Sequence, residues 1–233
     1  MTAYHIPTGD VLEVESIDGP FDKGVSALHT LSLEISTTQE MARVRRFAGT
    51  HHDVCTNGSW MGENYNYFQN GDILIASREH NPILKNPVGA TDAHRQGKEF
   101  YLTDAVTAEL RERANADVTK ARESGVLLLT RDKVRDSYPV ESLDNEVVPL
   151  FLLGDEAKPY AEFLKSCGIK EVPHYVVGAD HAQKQDKPFA RALWFYDLYN
   201  RSVFSGNYNV LSNVSGRVRG VRRRASEASL QKV

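Results

Sequence analysis

The stretch from Thr50 to Asn70 reads THHDVCTNGSWMGENYNYFQN, and His51, His52, Asp53 and Cys55 fall at its start. Imidazole, carboxylate and thiolate are the groups that hold zinc-like ions or relay protons. A zinc centre needs three or four ligands in fixed geometry, and adjacent histidines without a spaced partner motif do not supply it. His80, His94, His174 and His181 would have to be brought in by folding. Asp180 and His181 form a second acid–imidazole pair, at the end of an expected strand. Neighbouring residues there point different ways, so a turn is expected rather than a direct dyad. With Arg78 these residues allow an enzymatic reading: a hydrolase or transferase acting on a phosphorylated substrate, metal-dependent through the His51–Cys55 stretch. The plainer reading gives the same side chains to turns, caps and surface contacts. The sequence specifies no cofactor.

The second chemical feature is cationic. Arg217, Arg219, Arg222, Arg223 and Arg224 follow one another in NVSGRVRGVRRR with no acid between them. Guanidinium forks bind phosphate bidentately, and an extended backbone would point Arg217 and Arg219 to one side. This makes the segment a polyanion-binding candidate, against the alternative of a solvated tail. Cys167 closes an amphipathic helix and reads as a small core side chain. The chain carries no GxxxxGK[ST] loop, strand-linked GxGxxG, GxSxG elbow, HExxH helix or paired CxxC, the marks left by many common enzyme classes.

The elements that must position these residues follow from periodicity. VLEVES (Val11 to Ser16) alternates as a half-buried strand, and Leu31, Leu33 and Ile35 suggest another. Thr37 and Glu40 have capping-box spacing before Met41, Val44 and Phe47, and Gly49 is placed to end that helix. Asn70-Gly71 predicts a type I′ hairpin between YNYF and DILIAS, leaving Thr50–Glu63 as a loop. A long helix is expected from Thr103 or Asp104 to Ser124, stopped by Gly125, and GVLLLT follows as a buried strand. VVPLFLL reads as a strand despite Pro149, which prefers an edge. With the helix opened by Pro159 and the strand VPHYVV it makes a β-α-β unit. KPFARALWFYDLYNRSVF reads as an aromatic core helix, with Asp197 and Arg201 at ion-pair spacing. SGNYNVLSNVSG then favours turns, and ASEASLQKV forms a short helix or nothing.

The expected fold is a single α/β or α+β domain with a mixed sheet. Its N-terminal part is antiparallel and its C-terminal part is β-α-β. Residues 1–213 make the globular body and residues 214–233 a basic C-terminal arm. The 233 residues are 41% hydrophobic and 25% charged, with a net charge of −3. That balance suits a globular chain and argues against a nucleic-acid coat over the whole surface. No apolar run approaches the ~20 residues that span a bilayer, and no secretory leader is visible. Two cysteines fit a reducing compartment and a cytoplasmic location. The functional expectation is a non-enzymatic component of a larger assembly, with other protein subunits as partners and an arginine-rich arm on nucleic acid or another polyanion. The alternatives are the enzyme above and a protein-interaction module using the Trp60–Phe68 loop.

Overall fold

The computed structural model describes residues 2–7, 11–207 and 210–224; the side chains of residues 4–7, 11–12 and 223–224 are outside the description. The expectation for residues 225–233 therefore lies beyond the described residues. In order, the elements are β1 (Thr2–Pro7), β2 (Val11–Asp18), α1 (Phe21–Thr30), α2 (Thr38–Ala48), α3 (Asp53–Thr56), β3 (Ser59–Tyr67), β4 (Ile73–Ala76), α4 (Pro82–Lys85) and α5 (Pro87–Arg95). Then come β5 (Phe100–Tyr101), α6 (Asp104–Arg113), α7 (Val118–Ser124), β6 (Val126–Leu129), β7 (Ser137–Pro139), α8 (Val147–Leu153) and α9 (Ala157–Ser166). The chain continues through β8 (Glu171–Tyr175), α10 (Ala179–Gln183), β9 (Phe189–Phe195), β10 (Phe204–Ser205) and β11 (Arg217–Arg224).

The strands build one mixed sheet within a single α+β domain, in the order β1-β2-β11-β3-β9-β10-β8-β7, with β4 and β6 added alongside β3 and β5 on β9. Most pairs are antiparallel; β11 meets β3, and β10 meets β8, in parallel. Side chains leave β3 alternately to two cores. Met61, Tyr65 and Tyr67 join one with α2, α8 and α9. Trp60 and Phe68 join the other with α1 and residues of α4 and α5. Both faces being covered, β3 is buried along its whole length.

The end signals hold where the expectations placed them. Thr37 and Glu40 form the reciprocal capping box of α2, and Gly125 ends α7 in the left-handed region. The 70–71 hairpin forms between β3 and β4. Asn70 keeps negative φ while Gly71 takes +88°, so the turn is not type I′. The long helix is two, because Asn115 bridges to Leu127 and Asp117 caps α7.

Several elements correct the sequence reading. Residues 189–195 are a strand between β3 and β10, not a helix. A strand covered on both faces has no polar face, so its continuous apolarity imitates a buried helix. Val147–Leu153 is a helix, with Pro149 in the first turn where its missing N–H costs nothing, so no β-α-β unit forms there. Phe21, Val25 and Leu28 make α1, and Leu31 to Ile35 runs beyond it with one bridge, Ile35 to Gly220. Trp60 to Phe68 is interior strand and turn, not an exposed loop. Residues 217–224 are no arm: they form a strand inserted between β2 and β3.

Candidate recognition surface

The segment Ser205 to Gly216 joins β10 to β11. Nine of its twelve residues are Ser, Gly, Asn or Tyr. Its described backbone is fastened at intervals. At the start, the Gly206 N–H donates to the Tyr175 carbonyl (2.8 Å), and the Tyr67 hydroxyl donates to the Gly206 carbonyl (2.9 Å). A Cβ at Gly206 would press into the Tyr65 ring, so only glycine fits this approach. Next, Arg191 Nη1 donates to the backbone oxygen (3.0 Å) and side-chain Oδ1 (2.7 Å) of Asn207. Leu211 is buried in the second core, and its carbonyl accepts from Phe21 N–H at 2.8 Å. His94 Nδ1 lies 2.7 Å from Ser212 Oγ. Gly216 closes the segment, its carbonyl accepting from Gly19 N–H at 2.8 Å, with its Cα close against the Trp60 ring. Asn207, Val214 and Ser215 are exposed, Val214 to 77%.

A polar cluster holds the first fastening. Glu99, its side chain almost fully buried, accepts from Arg191 Nε at 3.1 Å and from Arg191 Nη2, and its Oε1 lies 2.9 Å from His181 Nε2. Burial alone would raise the Glu99 carboxyl, but Arg191 and His181 outweigh it and hold it below the usual range. Burial, and then Arg191, press His94 toward its neutral form. Tyr101 and Gln185 extend the rim through a 2.8 Å hydrogen bond. Every nitrogen of the Arg191 guanidinium is engaged, and Glu99 already meets two side chains. The arrangement positions the loop.

The residues singled out by their chemistry in the sequence are distributed elsewhere. His52 is the N-cap of α3, its ring accepting from Val54 N–H. His51 is exposed and lines a surface cavity with Cys167 and Tyr199. Asp53 receives Arg217 Nη1 at 2.8 and 3.0 Å and Arg219 Nη2 at 3.0 Å. Burial works against its charge, but the two guanidiniums hold the Asp53 carboxyl down. Cys55 is buried, and burial pushes its thiol up to about 11, away from thiolate chemistry. Asp180 and His181 both lie on α10, and of the two only His181 joins the Glu99 cluster. Arg78 is bound to Glu34, Glu40 and the Ile35 carbonyl. Among the described residues no three His, Cys, Asp or Glu side chains gather as a metal ion requires.

The cationic candidates also have local partners. Arg219 is 0% exposed, with Asp53, Ser16, Ser59 and the Asn57 carbonyl around its guanidinium. Burial lowers it to about 10. Arg217 bridges Asp18 and Asp53. Arg222 is exposed and donates to the Leu31 carbonyl at 2.9 Å; the Arg223 and Arg224 side chains lie outside the description.

Sequence reasoning marks 205–216 as a turn-rich loop, but not its fastening residues. Glu99 is 92 residues from Arg191, and His94 is 118 from Ser212. Among the described residues no helix is long and apolar enough to cross a membrane. No family model and no curated protein matches this chain. Among solved structures it resembles a chain described as "Accommodation of massive sequence variation in Nanoarchaeota by the C-type lectin fold", at 15% identity over 92% of this chain and 98% of that one, with a TM-score of 0.65. The likeness is one of fold: a C-type-lectin-like α+β domain with a mixed sheet.

Proposed function

We propose that this chain is a non-enzymatic binding module, one component of a larger assembly, and that residues 205–216 recognise the surface of a partner protein. The observation that carries this is the fastened loop, rich in Ser, Gly and Asn, in which Asn207, Val214 and Ser215 are exposed. Small polar residues of this kind give adaptable hydrogen bonding in antibody-type binding loops. Fastening lowers the ordering cost of binding. The fold neighbour is described as accommodating massive sequence variation. A loop whose outward side chains are uninvolved in the core would tolerate the same here. Contact with nucleic acid or another polyanion would rest on Arg222, Arg223 and Arg224: Arg217 and Arg219 are engaged by acids at 3.0 Å or less, whereas exposed Arg222 is 3.9 Å from Glu13.

The test is a variant with Val214 and Ser215 both replaced by lysine, keeping Gly206, Asn207, Leu211, Asn213 and Gly216. Wild type and variant are applied to an array of purified folded proteins and to mixed-sequence DNA. The proposal expects discrete protein targets for the wild type, lost in the variant, with the circular dichroism spectrum unchanged. Retention of the same targets by the variant would refute it. So would wild-type binding to DNA alone, falling steeply with salt and abolished by Arg222→Ala.

A further inference from the structure

Histidines stand at two fastenings of the 205–216 loop, and a proton acts on them in opposite senses. At the start of the loop, His181 Nε2 lies 2.9 Å from Glu99 Oε1. Glu99 in turn holds Arg191, whose Nη1 grips Asn207. A proton added to His181 makes its contact with Glu99 a charge-assisted hydrogen bond and leaves the chain from Glu99 to Asn207 intact.

His94 is arranged the other way. Both donors of Ser212 converge on one ring nitrogen: Nδ1 lies 2.7 Å from the hydroxyl and accepts from the Ser212 N–H at 3.4 Å. A backbone N–H can only donate, so Nδ1 carries no hydrogen and the ring is the neutral Nε2–H tautomer. A proton on Nδ1 sets N–H against N–H and forces the hydroxyl from donor to acceptor. Of the charges around the ring, Arg191 on β9 opposes the added proton and Glu99, ahead of β5, favours it. On α5 itself Arg95 pairs with Asp92 at 2.6 Å and lies 3.6 Å from Asp22 of α1, while Lys85 of α4 pairs with Glu109 at 3.2 Å. Burial, and then Arg191, hold His94 below its ordinary 6.5. The fastening is therefore fully present above pH 6.5 and is lost as pH falls through the lower value of the folded loop.

Ser212 is where a distant side chain reaches into the 212–215 turn. Among the described residues the other hydrogen bonds of the turn are local. Asn213 N–H donates to the Val210 carbonyl and Gly216 N–H to the Asn213 carbonyl, both at 3.0 Å, and Ser215 N–H donates to Asn213 Oδ1 at 2.9 Å. Leu211 and Gly216 stay tied to Phe21 and Gly19 on either side. The exposed Val214 and Ser215 ride on this turn.

Taking 205–216 as the recognition surface, we infer that His94 makes recognition pH-dependent. Its protonation frees the 212–215 turn while the Asn207 end stays held, and the partner is released in acid because the ordering cost of binding returns.

Amide hydrogen exchange on the full chain, read by NMR at about pH 7.5 and 5.5 and corrected for the intrinsic rate at each pH, tests the switch without a partner. Protection of the Ser212 and Asn213 amides is expected to fall by roughly threefold or more in acid, while the Gly206 amide and those of β3 keep theirs. His94→Asn puts a neutral oxygen acceptor near the place of Nδ1 and should make the protection of Ser212 and Asn213 equal at both pH values; His94→Gln serves if that variant loses its fold. No fall in wild type, or an equal fall in the variant, overturns the proposal. The array of purified folded proteins, applied at the same two pH values, is the second arm. Wild type should hold its targets roughly threefold or more weakly in acid, and the variant should hold them equally at both. Targets bound equally at both pH values by wild type, or lost in acid to the same extent by both proteins, overturn it. A turn that loosens in acid with no target bound at either pH refutes the recognition role of the loop and upholds the switch.

Discussion

Glu63 lies inside β3 with both carboxylate oxygens near Thr38, accepting from its N–H at 3.1 Å and its hydroxyl at 3.1 Å. Burial, reinforced by the Glu40 charge, outweighs those hydrogen bonds and raises the carboxyl from its ordinary 4.5 to about 7. Between those values the folded protein holds a proton that the unfolded chain has released. The associated stability is fully present below pH 4.5 and is lost as pH rises through 7. At about 1.4 kcal/mol per pKa unit this amounts to about 3 kcal/mol. Buried His174 slopes the other way. Its ring nitrogens meet the Tyr65 hydroxyl at 3.0 Å and the Tyr138 hydroxyl at 3.2 Å, and burial lowers it from 6.5 to about 4. Stability is therefore lost as pH falls from 6.5 toward 4, by a further ~3 kcal/mol. The opposed slopes nearly cancel between pH 4.5 and 6.5. Glu63→Gln keeps the shape and one acceptor, and removes one slope. Its stability relative to wild type should climb by about 3 kcal/mol between about pH 4.5 and 7.5, whatever constant offset the amide adds. Urea unfolding followed by tryptophan fluorescence measures this, with buried Trp60 edge-on to Trp194 at 5.1 Å as reporter. A difference constant to within ~0.5 kcal/mol from about pH 5 to 8 would refute the assignment of a protonated buried carboxyl.

Three further outcomes are expected. Arg219→Met, leaving Asp53 with Arg217 alone, should destabilise by roughly 3 kcal/mol. That loss should persist in about 1 M salt, since the pair is shielded from solvent ions; urea titrations at low and high salt decide it. Gly216→Ala drives a methyl into the Trp60 ring and should cost about 3 kcal/mol or prevent folding, whereas Gly178→Ala, with open space around it, should stay within ~0.5 kcal/mol in thermal melts. Thr37→Ala removes the hydroxyl of the α2 capping box and should cost about 1 kcal/mol by the same melts.

Local signals were legible where local chemistry decides the structure. The Thr37–Glu40 box, Gly125 and the alternation of VLEVES act within a few residues, and each appears in the fold. The failures lie where tertiary burial overrides pattern. β9 and α8 are both continuously apolar, and only their neighbours decide which becomes strand and which helix. The loop 205–216 is visible as turn-forming composition. Its stiffness is not, because Arg191, His94, Phe21 and Trp60 reach it from four separate places in the chain. The arginines at 217 and 219 look free in one dimension because Asp18 and Asp53 are 199 and 164 residues from Arg217.

β11 has a consequence for synthesis. It lies between β2 and β3 although almost the whole chain separates it from β2. At ~5–20 residues per second on the ribosome, β2 waits roughly 10–40 seconds for its partner, with its inner edge and the face of α1 that packs on Val218 uncovered. Closure is therefore a late event that requires residues 217–224 to arrive in frame. A message carrying a stop or a shifted frame within the 205–216 segment just upstream yields a product that lacks this strand. Such a product keeps an open sheet edge, the kind of surface that recruits proteases and aggregation.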